Sequence, residues 1–371
     1  FCTELDLPLP LLPWLALPTD PSPLSARYAQ TIPGKEEFYE TIRYFGERLK
    51  ASSVDLKLGT RVAAEDLTAG GFDKVVLATG VTPRTLGEMP GHDHPKVVSY
   101  VEVLTGRAVL PPGASVAVVG AGGIGFDVAE YLTHHHHPGD GASSGGVAAG
   151  QSIEEFMATW GVDVKHENRG GLLPKPKQPP KVRDVFLLQR KSGKVGAGLG
   201  KTTGWIHRAA LDKAGVVGMG GVAKYAKVDN RGLHLVLKKP KASKKKSKPG
   251  SGEGAAAMSA WPQHPGLVYT GGEDPSTGER EAVLEVDHVV VCAGQEPLRE
   301  LEPALRLAAV PTFRIGGAEE ASELDAKRAI DQGTRLASVI ESAKDGAVFN
   351  QPVTWESWAL KGVGKLTGLI A

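Results

Sequence analysis

Residues 115–132 read SVAVVGAGGIGFDVAEYL, and this stretch decides the fold. Val116–Val119 is a short run of valine and alanine, the composition of a strand buried on both faces of a parallel sheet. Gly120-Ala121-Gly122-Gly123-Ile124-Gly125 then spells GxGxxG, and the residues from Phe126 to Leu132 are compatible with a helix. In such a strand–turn–helix the first glycine makes the turn. The second lets the backbone approach a pyrophosphate, and the third lets helix and strand pack closely. The helix start adds unpaired amides and a partial positive charge. The pattern predicts a dinucleotide-binding α/β unit in which residues 120–125 hold the diphosphate.

A rival glycine loop lies downstream, in KSGKVGAGLGKTTGW (residues 191–205). A P-loop ending at Gly200-Lys201-Thr202 requires glycine at position 195, where Val195 stands, so a phosphate nest of that type is not expected. The strand before it is predicted at Val185–Lys191 and ends in Arg190 and Lys191. An NAD site usually has an acid here for the ribose 2′-hydroxyl, whereas two cations suit a 2′-phosphate. NADP(H) is therefore expected over NAD(H). The glycines that follow should leave room for the nucleotide, with Lys194 or Lys201 adding charge. The long interval between Gly125 and this strand implies an insertion after the first helix.

Working outward, the 371 residues carry 43 basic and 42 acidic side chains. That balance argues against nucleic acid or an anionic membrane as partner. The two cysteines, Cys2 and Cys292, form no CxxC. A disulfide framework, a thiolate metal site and a redox dithiol are unsupported, no metal site is expected, and a reducing compartment is the default. The apolar N-terminus is broken by prolines at 8, 10, 13, 18, 21 and 23, so no run reaches the ~20 residues of a membrane span. Residues 1–25 are expected to be an irregular or non-homologous terminus, and the chain to be an incomplete protein. The histidine-, glycine- and serine-rich stretch 134–150 reads as a solvated loop. Seven of the eleven residues from Lys238 to Lys248 are lysine, and this run reads as a charged hairpin loop whose deletion through Gly254 should leave nucleotide binding intact.

Two further stretches share one form. VVLATGVTPR (residues 75–84) and HVVVCAGQEP (residues 288–297) each run from a buried strand through a glycine turn to proline. Such strands recur in flavoproteins with two dinucleotide-binding domains, where the chain crosses between them. IPGKEEFYETIRYF (32–45) puts Phe38, Ile42 and Phe45 at helical spacing, with Leu49 beyond. Together with DHPKVVSYVEVL (93–104), QRKSGKVGAGLGKTTGWIHRAAL (189–211) and ELDAKRAIDQGTRLA (323–337), these blocks resemble the C-terminal half of the bacterial-type NADPH-dependent 2,4-dienoyl-CoA reductases, relatives of trimethylamine dehydrogenase and old yellow enzyme. The resemblance runs from about Ile32 to Ile340, and GLGKTTGWIHR is its most distinctive block.

The resemblance implies a Rossmann-like flavoprotein of two dinucleotide-binding domains, the NADPH domain inserted in an incomplete FAD domain. The implied divisions are 26–112 (partial FAD domain), 113–294 (NADP(H) domain, with insertions at 134–150 and 238–281), 295–345 (the rest of the FAD domain) and 346–371 (an extension). It assigns NADPH to Gly120, Gly122, Gly123, Gly125, Arg190 and Lys191, and FAD to Thr79, Gly80, Gly294, Gln295 and Gly317. Where the family has Gly-Gly-x-Asp at the flavin ribityl chain, this chain has Gly316-Gly317-Ala318-Glu319. In the family, hydride passes from NADPH to FAD, and electrons cross a 4Fe-4S cluster to FMN in an N-terminal barrel that reduces acyl-CoA substrates of fatty-acid β-oxidation. The barrel and the first FAD loop have no counterpart here, so the chain is not expected to reduce an enoyl-CoA alone. The reading is an NADPH:FAD electron-input module; the alternative is a non-catalytic NADP(H)-binding module without flavin. Among single residues, His207 reads as near the nicotinamide nucleotide or as a packed surface histidine, and Cys292 and Trp205 read as packing.

Overall fold

The computed structural model describes residues 14–16, 31–35, 37–134, 152–239, 261–321 and 326–350. The rest of the expected irregular terminus, the histidine-rich loop beyond His134, the lysine-rich run beyond Lys239, residues 322–325 and the extension from residue 351 lie outside the described residues. The chain folds as two units: residues 1–30, 35–82 and 295–371 form one, and residues 31–34 and 83–294 form the other.

The discontinuous unit begins with β1 (Trp14–Ala16), which pairs in parallel with β2 (Asp55–Lys57). Between them α1 (Phe38–Lys50) forms as its apolar spacing predicts, yet buries no residue, and Phe45 stays 57% exposed. Short α2 (Ala64–Ala69) opens with the Asp66 carboxylate accepting from the Ala63 amide at 2.9 Å. β3 (Val75–Leu77) and β4 (Val81–Pro83) follow.

The continuous unit holds β5 (Val97–Ser99), α3 (Tyr100–Leu104), β6 (Ser115–Val119), α4 (Gly123–Leu132), α5 (Ile153–Trp160), β7 (Asp184–Gln189), α6 (Gly204–Lys213) and β8 (Val217–Gly220), then β9 (Val222–Asp229), β10 (Gly232–Lys238), β11 (Leu267–Glu273), β12 (Glu279–Leu284) and β13 (His288–Val291). Five strands make a parallel sheet in the order β5-β13-β6-β7-β8. Val116, Ala117 and Val118 of β6 are fully buried, as a central strand covered on both faces must be. Four strands form an antiparallel sheet, β11-β12-β10-β9. Its Leu233, Leu235 and Leu284 share one core with Val119, Phe186 and Leu188 of the parallel sheet. The spacing of Ser152 and Glu155 ahead of α5 is that of a capping box, and both bonds are present: Ser152 accepts from the Glu155 amide at 3.1 Å and Glu155 accepts from the Ser152 amide at 3.2 Å.

The chain then completes the first unit with β14 (Gln295–Pro297), α7 (Glu302–Leu307), β15 (Thr312–Arg314), a 3₁₀ turn over Gly316–Ala318, and α8 (Ala326–Val339). β14 lies beside β4, and β15 pairs in parallel with β3. Here the core is small: Leu67, Val75, Leu77 and Leu305.

Three expectations change. Residues 83–112, assigned by sequence to the partial FAD domain, fold with the continuous unit because β5 pairs with β13. Residues 267–273, placed by sequence in an insertion, are β11 of the antiparallel sheet, hydrogen-bonded to β12. Lys238, read as the start of a loop, is the last residue of β10, in register with Glu279.

Candidate functional site

The Gly120–Gly125 turn leaves the C-terminal end of β6 and enters α4, and its glycines divide into two kinds. Gly120 sits at φ +114°, its amide donating to the Leu188 carbonyl at 3.1 Å. A Cβ there would lie 2.3 Å from the carbonyl oxygen of Cys292, the residue just past the neighbouring strand β13. At Gly125 a Cβ would lie 1.8 Å from the Gly120 oxygen. The first and third glycines are therefore demanded by the protein's own packing.

Gly122 and Gly123 differ. Both are exposed, and a Cβ at either would meet nothing within 4 Å. Gly122 has φ −83°, which any residue can adopt, and is the N-cap of α4. No side chain caps this helix, and its first turn carries no acid. Ala121 and Ile124 flank the opening, half-buried. What the site presents is a smooth backbone surface, first-turn amides not taken by a capping side chain, and the positive end of a helix dipole, the chemistry that receives a phosphate.

Beside it, β7 ends at Gln189, two residues before the predicted end, so Arg190 and Lys191 stand just past the strand and exposed. Because the Gly120 amide bonds Leu188, the cationic pair starts next to the turn. Arg190, Lys191, Ser192, Val222, Ala223 and Lys238 line an open groove of about 430 Å³. Gln189 braces the bend. Its Nε2 donates to the Lys191 carbonyl at 2.9 Å, and its Oε1 accepts from the Gly196 amide at 3.1 Å. Arg208 of α6 donates to the Gly196 carbonyl at 2.8 Å.

The rival loop is thus a brace. A Cβ at Gly196 would lie 2.3 Å from the Phe126 ring, so this glycine makes room for α4 and not for a nucleotide as its sequence suggests. At Gly204 the displaced atom would be the Leu199 Cβ, 2.7 Å away. His207 of α6 contacts Glu130 of α4, Nδ1 to Oε2 at 3.4 Å, which is the packed-histidine reading. Burial pushes the Glu130 carboxyl above its ordinary value, and His207 partly offsets this. Cys292 is buried, and burial drives its thiol pKa upward, away from reactivity. Trp205, expected to pack, is 57% exposed at the start of α6.

In the other unit the structure brings Gly80 and Gly317 together. Gly80 has φ +73° and open space over its α-carbon, while a Cβ at Gly317 would lie 3.1 Å from the Gly80 carbonyl carbon. Thr79 donates its hydroxyl to the Leu298 carbonyl at 2.5 Å, and the Leu298 amide returns a bond to the Gly80 carbonyl at 3.0 Å. Gln295 opens β14. Gly294 belongs to the continuous unit, at φ +110°, accepting from the Arg84 amide at 3.0 Å. Glu319 is committed: its Oε2 pairs with Arg314 Nε at 2.8 Å. Arg314 also reaches Glu302 at 3.0 Å, and Arg299 donates to the Ala318 carbonyl at 2.6 Å and to that of Glu319. Burial works to raise the Glu302 carboxyl, but Arg306 and Arg314 outweigh it and hold it below the usual carboxylate range.

Sequence reasoning missed Ser192, Lys238, Gln189 and Arg208. Gln189 and Arg208 carry no signal outside the fold, and Lys238 is hidden in a run that composition alone reads as solvated. Among the described residues no helix is long and apolar enough to cross a membrane.

Comparison with known proteins bears on the fold and the family. The bilirubin reductase of Mediterraneibacter gnavus is 34% identical over 109 residues, 28% of this chain and 16% of that protein. The cinnamate reductase of Clostridium sporogenes is 34% identical over 98 residues, 26% of this chain and 14% of the relative. The matched segments thus span about a sixth or less of these relatives. Among solved structures, 2-naphthoyl-CoA reductase in its 2-naphthoyl-CoA complex superposes with a TM-score of 0.57 at 17% identity, covering 86% of this chain and 34% of that one. Histamine dehydrogenase from Rhizobium sp. 4-9 gives 0.55 at 14% identity, covering 95% and 47%. At these identities the likeness is one of fold. The family model described as pyridine nucleotide-disulphide oxidoreductase matches residues 27–237. With that match over a Rossmann-like strand–glycine turn–helix, the chain belongs to the pyridine nucleotide-disulphide oxidoreductases, a family of NAD(P)-dependent flavoprotein oxidoreductases.

Proposed function

We propose that the chain is the NADPH-accepting, FAD-carrying electron-input module of a 2,4-dienoyl-CoA reductase-like oxidoreductase. The observation that carries the reading is the empty space over Gly122 and Gly123 beside an exposed Arg190–Lys191 pair. Among the described residues no atom accounts for those two glycines, and a diphosphate would. Backbone amides at the start of α4 would hold it, with the helix dipole supplying part of the attraction. Arg190 and Lys191 would take the 2′-phosphate, which distinguishes NADPH from NADH. Gln189 and Arg208 hold the intervening loop, so little ordering is left to the moment of binding.

FAD fits in part. Gly80 offers an open backbone face next to Gly317, and with Thr79 and Gln295 of the same unit it would line part of the flavin nucleotide. When bound, FAD supplies the exchange of a two-electron hydride for single electrons. Glu319 does not present a free carboxylate to a ribityl hydroxyl, because Arg314 holds one of its oxygens. That observation favours a second reading, a non-catalytic NADP(H)-binding module without flavin. The acyl-CoA substrate, and the 4Fe-4S cluster and FMN of an N-terminal barrel, belong to the proposal through the resemblance alone.

Anaerobic addition of NADPH to the chain equilibrated with FAD separates the readings. Bleaching of protein-bound flavin absorption, faster with NADPH than NADH, supports the electron-input module. Tight NADPH binding without retained flavin supports the second reading. No preference between NADPH and NADH overturns both.

A further inference from the structure

The groove beside β7 contains a cation supplied by another sheet. Lys238 closes β10, and its amide donates to the Gly221 carbonyl at 2.8 Å; the Gly221 amide in turn donates to the Lys191 carbonyl at 3.1 Å. This relay ties the end of β10 to the bend that carries Arg190 and Lys191. Gly221, at φ +85°, is where the two meet: a Cβ there would lie 3.5 Å from the Ser192 hydroxyl and 3.8 Å from the Lys238 Cβ. Arg190, Lys191, Ser192 and Lys238 thereby line one groove, with Val222 and Ala223.

The two neighbouring lysines are used differently. Lys239 is paired with Glu273 at 2.8 Å. Lys238 forms no ion pair among the described residues, though Glu279 stands opposite it in register on β12. An exposed lysine facing one carboxylate in water is held weakly, so it is free to turn to a doubly charged ligand.

Resting on the NADPH reading above, we propose that Lys238 is the third cation of the 2′-phosphate pocket, closing from β10 the anion site that Arg190 and Lys191 close from β7. A phosphomonoester carries between about 1.5 and 2 negative charges at neutral pH and three acceptor oxygens. Three cations and the Ser192 hydroxyl match that demand; a bare ribose hydroxyl would gain almost nothing from them. Lysine suits the position because its ammonium is a point charge on a long stem and needs no bidentate geometry. The lysine-rich stretch beyond Lys239 is not required, so the expectation that deletion of 238–254 leaves binding intact is narrowed to residues 240–254.

The test titrates the full chain with NADPH and with NADH, following nucleotide fluorescence, for the wild type, K238Q, K238R, K239Q and the double variant R190A/K191A. K238Q is expected to weaken NADPH by about tenfold and leave NADH unchanged, K238R to restore most of the loss, and K239Q to change neither. Full NADPH affinity in K238Q, or an equal loss for both nucleotides, overturns the proposal. If R190A/K191A loses the preference while K238Q keeps it, only Lys238 is misassigned. If the wild type shows no preference, the 2′-phosphate reading itself falls. An unchanged melting temperature of K238Q confirms that the exposed substitution leaves the fold intact.

Discussion

Two turns of this molecule look alike in sequence and differ in what surrounds them. Both follow a parallel strand and carry consecutive glycines before a helix, Gly120–Gly125 after β6 and Gly316–Glu319 after β15. In the first, protein atoms crowd Gly120 and Gly125, while the space over Gly122 and Gly123 is vacant. In the second, Val81 and Gly80 lie against Gly317, Arg299 donates to the Ala318 and Glu319 carbonyls, and Arg314 pairs with Glu319. The comparison teaches that glycine spacing marks where backbone comes close to something. Whether that partner is a ligand or the protein itself depends on neighbours far along the chain.

The sharpest way to break the comparison is Gly125→Ala. A methyl 1.8 Å from a backbone oxygen cannot be relieved by a side-chain rotation, so α4 must move away from β6. A loss of about 3 kcal/mol or more, read as a melting-temperature drop of roughly 10 °C, is expected. Gly122→Val separates packing from binding: stability should change by no more than about 1 kcal/mol. On the proposed assignment, NADPH affinity should fall about a hundredfold, roughly 2.7 kcal/mol, because the branched side chain would occupy the space proposed for the diphosphate. Unchanged affinity in titration would remove the turn from the site.

Replacing Arg190 and Lys191 together by alanine should weaken NADPH by tenfold or more and NADH little, each lost charge-assisted bond being worth about 1.5 kcal/mol or more. An equal loss for both nucleotides would contradict the assignment. Gly317→Ala is expected to cost about 1–2 kcal/mol in melting experiments, since Val81 Cγ1 at 2.8 Å and the Gly80 backbone at 3.1 Å need to shift by less than the backbone oxygen that faces Gly125.

The smallest effect concerns pH. Arg306 and Arg314 hold Glu302 below its ordinary carboxylate range despite burial, so it contributes stability above the unfolded value near 4.3 and loses it as pH falls through the lower folded value. Amide exchange at Gly316–Glu319 should therefore rise below about pH 4 while exchange at Gly120 and Gly125 does not. Parallel behaviour of the two turns would show that ion pairing is not what distinguishes them.

The residues from Ser115 to Leu132 largely state their own structure. A run of apolar residues too short for a helix, then glycines at fixed offsets, then helix-compatible residues leaves one common solution, and β6 and α4 fall where the pattern puts them. The Ser152–Glu155 capping box was equally legible, because its bonds join residues three apart. The helix α1 was legible as an element, but its exposed stripe was not, since periodicity says which face is apolar and not what covers it.

Local sequence thus determined the elements whose stabilising contacts lie within a few residues: the glycine turn, the helix cap, the buried strand, the cation pair at a strand end. Tertiary structure decided everything that depends on distant backbone. It assigned Gly196 to the Phe126 ring, tied the Ala318 and Glu319 carbonyls to Arg299, and brought Lys238 to Lys191 through Gly221. The reason is physical: a side chain's chemistry is written in its type, but its availability is set by which charges and carbonyls the fold places within bonding distance.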